Sequence, residues 1–265
     1  MLRDITLGQY FPGDTVVHRL DPRTKLLLVI IYIVALFSAT GWPSYGLVIA
    51  VTVFSLAISK IKPKSAFKGL KPLIFIIILT ALLNIFYTQG TPVAEGWPIT
   101  WEGIEKAVMM SLRIILLIMG TFMLTYTTSP IALTDGMELL LNPLKKIKVP
   151  VHEMSMMMSM ALRFIPTLIE ETDKIMSAQK ARGADFETGS LLQRAKALLP
   201  ILVPLFVSSF RRADELAVAM ESRCYHGGEG RTRMKQLKLM GRDWIALLLG
   251  ALFLAAIYVM KHFGL

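Results

Sequence analysis

Charge is what this sequence has least of. Only 18% of its 265 residues are Asp, Glu, Lys or Arg, 54% are hydrophobic, and mean hydropathy is +0.56. A soluble domain carries roughly a quarter charged residues. The deficit excludes an ordinary cytosolic enzyme and points to an integral membrane protein. One cysteine, Cys224, excludes a disulfide framework and a Cys-built metal site. There is no G-x-x-x-x-G-K-[ST], so ATP is not bound through a P-loop here. The four histidines, His18, His152, His226 and His262, lack the i, i+4 pairing of a helical metal site, and no cofactor is expected. Met1 to Lys25 is polar and holds Pro12, Gly13 and Pro22, so no processed leader is expected either.

What is present is long apolar sequence. No charge falls between Lys25 and Lys60. One helix of that length would measure about 51 Å, too long for a ~30 Å hydrocarbon core. Gly41-Trp42-Pro43 lies near the middle, where Pro breaks a helix and Trp favours the interface. The run therefore predicts two short spans, about Pro22–Thr40 and Ser44–Ser59, joined by a tight turn. Asp21 before Pro22 supplies the start signal, an N-cap with proline in the first turn. Further spans are expected from Pro72 to about Tyr87, Glu105 to Tyr126, and Trp244 to about Met260. The expected fold is all-α and polytopic, with about five transmembrane helices and a cytoplasmic domain between the fourth and last.

Basic residues orient these spans. Arg3, Arg19, Arg23 and Lys25 precede the first, and Lys60, Lys62, Lys64, Lys68 and Lys71 follow the second. The Gly41-Trp42-Pro43 turn and the Thr88–Glu105 segment have none. The positive-inside rule places the N-terminus in the cytoplasm of a multi-pass cell-membrane protein. Residues 1–127 form an N-terminal membrane region, 128–243 a cytoplasmic region and 244–265 a last span. The net charge of +10 follows from the same bias and does not require nucleic acid. Arg113 lies inside the fourth span, where an arginine costs on the order of 2.5–3.5 kcal/mol unless it faces protein or water.

The cytoplasmic region should carry the function. Met154–Ile169, interrupted by Arg163 and Pro166, and Leu198–Phe210, holding Pro200 and Pro204, are near span length, yet flanked by charge and kinked by proline. They suit helices lying on the membrane or packed on another hydrophobic protein. Met154, Met157, Met158, Ala161 and Ile165 share one helical face, widened by Met156 and Met160. Methionine is flexible and polarizable, so such a face can receive exchangeable partners; a buried core helix is the plainer alternative.

An internal repeat adds a sharper feature. Asp173-Lys174-Ile175, Ala178 and Arg182 align with Asp214-Glu215-Leu216, Ala219 and Arg223 at a constant offset of 41 residues. In each copy an Asp leads an amphipathic helix and an Ala precedes an Arg by one turn. A stop follows, Gly183 in the first and Gly227-Gly228 after the second. Asp173 lies about 180° around the helix from Arg182, so the arginine is left for an outside partner, and its planar fork suits carboxylates. Solvated helix-end arginines are the plain alternative.

Ala181-Arg182-Gly183, and Arg223 within Ser222-Arg223-Cys224, resemble the paired Ala-Arg-Gly motifs of the transmembrane (T) component of energy-coupling factor (ECF) transporters. Gly8-Gln9-Tyr10 with Pro12-Gly13, and Leu20-Asp21-Pro22-Arg23-Thr24-Lys25-Leu26, resemble that family's N-terminal motif. Asn142-Pro143-Leu144, Arg163-Phe164-Ile165-Pro166 and Phe210-Arg211-Arg212-Ala213-Asp214-Glu215 resemble its core, so the likeness covers nearly the whole chain. The second copy departs from the motif, with Ser222 and Cys224 in place of Ala and Gly.

The resemblance implies a non-catalytic scaffold in the lipid bilayer, with no nucleic acid bound. Helices carrying Ala181, Arg182, Gly183 and Ser222, Arg223, Cys224 would dock two homologous ATP-binding subunits. Apolar parts of the same helices would hold a small membrane-embedded substrate-binding (S) subunit; the Met154, Met157, Met158, Ala161, Ile165 face is assigned to it. ATP hydrolysis on the partners would then drive uptake of a vitamin or metal ion whose pocket belongs to another polypeptide. The nearest rival is a T component dedicated to cobalt, nickel or biotin. Rivals of another class are a membrane enzyme using His152 or Glu170/Glu171, and a nucleic-acid-binding membrane anchor.

Overall fold

A computed structural model describes residues 10–61, 69–92, 99–186, 188, 190–227 and 236–264. Arg3, Gly8, Gln9, Lys62, Lys64, Lys68 and Gly228, named above, lie outside the described residues. Those described form eight α-helices: α1 Pro22–Ser38, α2 Trp42–Ser59, α3 Ile74–Tyr87, α4 Trp101–Thr127, α5 Pro130–Leu141, α6 Val151–Ala181, α7 Leu191–Glu221 and α8 Gly241–His262. Short 3-10 turns at Lys71–Leu73 and Asn142–Ile147 lead out of or into them, and among the described residues there is no strand beyond a single bridge, Pro92 to Thr100. The chain is all-α. It divides into two compact units, one within Met137–Gln236 and one within Gly8–Gly136 and Leu237–Leu265.

In the second of these units α1 packs on α4 and α8, α2 packs on α4 and α8, and α3 lies against α4. The start of α1 is built as its sequence reads: the Asp21 carboxylate accepts from Arg23 N, with Pro22 at the first helical position. Gly41-Trp42-Pro43 departs from the expected turn. Trp42 and Pro43 begin α2, because proline lacks only a donor that the first turn of a helix leaves unused. Ala35, Leu36, Ala39, Tyr45, Val48, Leu116 and Ile257 make the core. Large apolar side chains point outward over the rest, such as Phe75 on α3 and Trp244, Ile245 and Leu248 on α8. An apolar exterior around a packed centre is the arrangement lipid requires.

Polar groups in this unit are satisfied across helices. Tyr32 Oη lies 2.9 Å from Leu116 O and 2.9 Å from Thr52 Oγ1. Arg113 donates to Ala39 O at 3.0 Å, just past the end of α1, with its guanidinium over the Phe37 and Tyr45 rings. The intramembrane arginine thus faces protein. Asp243, 1% exposed, accepts Asp21 N through Oδ1 and Met240 N through Oδ2, both at 2.8 Å. Lys25 Nζ donates to Thr127 O at 2.7 Å and His18 O at 3.1 Å, and Arg23 reaches Leu237 O at 2.8 Å. The N-terminal Asp-Pro-Arg-Thr-Lys motif is therefore a staple joining the ends of α1, α4 and α8. Sequence reading had found its residues without Asp243, which no local pattern flags.

Four described helices are long and apolar enough to cross a membrane: Trp42–Ser59, Trp101–Thr127, Leu192–Glu221 and Gly241–His262. This set is not the expected five. α1, with 17 residues, and α3, with 14, are short, while the third member of the set lies in the region expected to be cytoplasmic.

Candidate functional site

The Met137–Gln236 unit carries every candidate contact residue, and it is built around α6 and α7, each 31 residues long. Pro166 in α6, and Pro200 and Pro204 in α7, do not break them. Asp173 and Asp214 consequently do not lead helices as expected; both lie inside long ones, because the helical pattern runs straight through each proline. α7 starts on a capping box, in which Ser190 Oγ accepts from Gln193 N and Gln193 Oε1 accepts from Ser190 N. Asp185 caps the turn before it through Thr188 N at 3.2 Å.

The two helix ends are one structure made twice. Gly183 N donates to Lys180 O and Ala184 N to Gln179 O, each at 3.0 Å. Cys224 N donates to Glu221 O at 2.9 Å and Tyr225 N to Met220 O at 3.1 Å. Both pairs are the crossed hydrogen bonds of a Schellman motif, closed by a left-handed residue: Gly183 at φ +86° and Cys224 at φ +54°. The second stop is thus Cys224 and not the expected Gly227-Gly228, since the crossed bonds hold cysteine in a conformation glycine ordinarily supplies. Arg182 and Arg223 occupy the same cap position, one residue earlier. Both side chains are exposed, and among the described residues neither has a partner. Ala181, Gly183, Ser222 and Cys224 around them are exposed as well.

Between these ends the helices meet through polar residues. Arg212 Nη2 donates to Glu171 Oε2 at 2.6 Å. A hydrogen bond from Ser208, with the lesser help of Arg212 and against partial burial, holds the Glu171 carboxyl below its usual range. Thr167, Glu170 and Lys174 join Glu171 and Arg212 around an open cavity of about 270 Å³. Farther along, Tyr225 Oη donates to Met156 Sδ at 3.2 Å. Going back from Glu171 to Met156 on α6 corresponds to going forward from Arg212 to Tyr225, so the helices run antiparallel. Arg182 and Arg223 therefore lie on opposite sides of the Glu171–Arg212 contact.

The methionine face is exposed. Met154, Met157 and Met158 are 47%, 58% and 43% accessible, Ala161 is exposed and Ile165 half-buried, while Val151 and Ser155 turn inward. A second apolar stripe, on α7, includes Leu199, Leu202, Val203, Phe206 and Phe210. Sequence reading marked Leu198–Phe210 as apolar without assigning those side chains; their helical spacing was the available signal. Of the residues considered for an enzyme, His152 Nδ1 lies 3.0 Å from Glu138 Oε1, Glu171 holds Arg212, and Glu170 is exposed at the cavity.

Comparison with known proteins supplies the family. Residues 13–234 match the family model described as CbiQ, cobalt transport protein. The chain belongs to this family of transporter transmembrane proteins. It is 56% identical over 266 residues to the energy-coupling factor transporter transmembrane protein EcfT of Clostridium kluyveri, covering 99% of this chain and 98% of that one. Similarity to the proteins of the same description from Ruminiclostridium cellulolyticum and Bacillus subtilis is 51% identity over 265 residues and 50% over 246. The latter alignment covers 92% of this chain and 93% of the other. A multi-pass transmembrane component of an energy-coupling factor transporter is thus what sequence, apolar helices and relatives jointly describe.

Proposed function

We propose that this chain is the scaffold on which two homologous ATP-binding subunits drive a small membrane-embedded S subunit, and that Arg182 and Arg223 are the two docking points. The observation that carries this reading is the repeated Schellman end, which presents one unpaired, exposed guanidinium twice in the same backbone setting. Two equivalent tips suit two homologous partners, and a planar cation suits an acidic groove. Ala181, Gly183, Ser222 and Cys224 form the small-residue collar of each contact. The face of Met154, Met157, Met158, Ala161 and Ile165 receives the S subunit, and its adaptable side chains favour a scaffold shared among several. ATP is hydrolysed on the partners; their movement is passed through α6 and α7 to the S subunit, which releases a vitamin inward. The Lys/Arg distribution supports a cytoplasmic N-terminus.

The test is the double variant Arg182→Ala/Arg223→Ala in the co-expressed complex. Each truncation leaves buried acid unpaired on a partner, a loss of about 2–5 kcal/mol, or roughly 30- to 4000-fold in affinity. Either single variant weakens docking, while the other arginine holds the rigid ATPase pair through effective concentration. The double variant loses both ATPases and uptake, and Arg→Lys rescues poorly. Normal uptake with both ATPases retained would sink the proposal. A second reading, a T component dedicated to cobalt, has one observation in its favour, the description of the matching family model. Co-purification in mild detergent separates the two: several S subunits in one preparation support sharing, and one alone supports dedication.

A further inference from the structure

Glu171 and Arg212 stand 41 residues apart, the same offset that relates Arg182 to Arg223. They are equivalent positions of the two repeats, and they touch. A contact between equivalent positions of antiparallel helices marks a local two-fold axis, because exchanging the helices maps it onto itself. Each arginine tip then lies about 11 residues beyond the contact, or ~16 Å along its own helix, in opposite directions. Like residues would ordinarily meet like on such an axis. Here the repeats carry opposite signs: Glu170 against Arg211, Glu171 against Arg212, Lys174 against Glu215, while Thr167 and Ser208 keep a hydroxyl in both. The hydroxyl of Ser208 and the guanidinium of Arg212 converge on the Glu171 carboxylate.

We propose that Glu171 and Arg212 are positioning residues that lock the register of α6 against α7 and so keep the two arginine tips equidistant from the axis of the ATPase pair. This rests on the docking roles given to Arg182 and Arg223 above. Sliding one helix by a turn would move the tips apart by ~5 Å along the pair and bring Glu171 out of reach of Arg212. Two partners related by a two-fold axis could not then both be met in the same way. The sign inversion between repeats makes the register that pairs equivalent positions attractive, where identical charges would repel.

The experiment is a charge exchange in the reconstituted transporter, reading ATP hydrolysis, ATPase retention and uptake separately. Glu171→Arg or Arg212→Glu alone places like charges together. We expect retention of both ATPases, since Arg182 and Arg223 remain, with uptake per ATP falling about tenfold. The exchange Glu171→Arg/Arg212→Glu should restore uptake per ATP to within about twofold of the starting protein. A double variant no better than the singles, or singles that transport normally, overturns the lock. Should the singles fail to assemble, the milder variants Glu171→Gln and Arg212→Met, which remove the charge without opposing it, take their place. Uptake per ATP that falls in both supports the lock, and normal uptake in either overturns it. Loss of docking in Arg182→Ala/Arg223→Ala is a separate outcome, so failure of the lock and failure of the docking assignment are told apart.

Discussion

Gly183 and Cys224 hold the same left-handed backbone position at the ends of α6 and α7, with φ of +86° and +54°. One is the residue that this conformation favours, and the other is not. A side chain there costs about 1–2 kcal/mol of backbone energy, partly offset by the freedom an unfolded glycine would lose. Cys224→Gly is therefore expected to stabilise the end of α7 by about 0.5–1 kcal/mol. Gly183→Ala should weaken the end of α6 by about 1 kcal/mol, although an added Cβ would meet nothing within 4 Å. Amide exchange at Ala184 and Tyr225 in the intact chain reads both changes. Equal exchange in parent and variants would show that the crossed hydrogen bonds do not depend on that residue.

In the membrane helices the tight point is Gly120. A Cβ built there would lie 2.3 Å from Tyr32 Cε1 and 2.6 Å from Cδ1. The ring has little room to yield, since its hydroxyl is held at Leu116 O and Thr52 Oγ1. Gly120→Ala should cost about 1–3 kcal/mol through overpacking. Tyr32→Phe, which removes only the hydrogen bonds, should cost about 1 kcal/mol. Thermal unfolding in detergent compares the two, and the larger loss is expected for the glycine.

A triple substitution on the methionine face tests the partner assignment proposed above. Met154, Met157 and Met158 changed together to glutamate place charge in an apolar contact, at a cost of several kcal/mol, roughly, where that contact is dry. The S subunit should be lost from the detergent complex while both ATPases remain. Departure of the ATPases with the S subunit retained would assign this surface to the other partner.

Acid should loosen the pair of long helices at one point. The Glu171 carboxyl sits below its usual range, chiefly through the Ser208 hydrogen bond. Its contribution is fully present above the ordinary glutamate value and is lost as pH falls through the depressed one. Carboxyl carbon shifts of Glu-labelled chain in nanodiscs should show Glu171 titrating below the ordinary glutamate value, and Ser208→Ala should raise its midpoint. A midpoint unmoved by Ser208→Ala would make Arg212 the controlling neighbour.

The all-α architecture was legible because it depends on local quantities: charge-free runs, an Asp-Pro start at Asp21, and an arginine one turn after alanine. The arginine caps were legible for the same reason, although Cys224 as a stop was not, because its left-handed φ is imposed by hydrogen bonds rather than preferred by the side chain. Continuity through Pro166, Pro200 and Pro204 went unread. An interior proline costs about 3 kcal/mol in an isolated helix, and only tertiary context reveals where that cost is absorbed. Asp243 was invisible in a different way, since its bond to Asp21 N forms only when α1 and α8 pack. The Glu171–Arg212 contact had a readable trace, the opposite signs at equivalent repeat positions, which gains meaning once the helices are seen to be antiparallel.

The length of α7 bears on how the chain is made. Leu192–Glu221 is apolar enough to be taken by the insertion machinery as a span, yet it carries Arg194 and Lys196 near one end and Arg211 and Arg212 toward the other. Crossing in either direction would carry one basic pair to the outer side, against the bias that orients membrane segments. A nascent chain meets no favoured direction at this helix, and its neighbours must resolve the choice. Removing one pair, by Arg194→Gln/Lys196→Gln, would give the segment a direction, and with it a route to misinsertion before any partner subunit arrives.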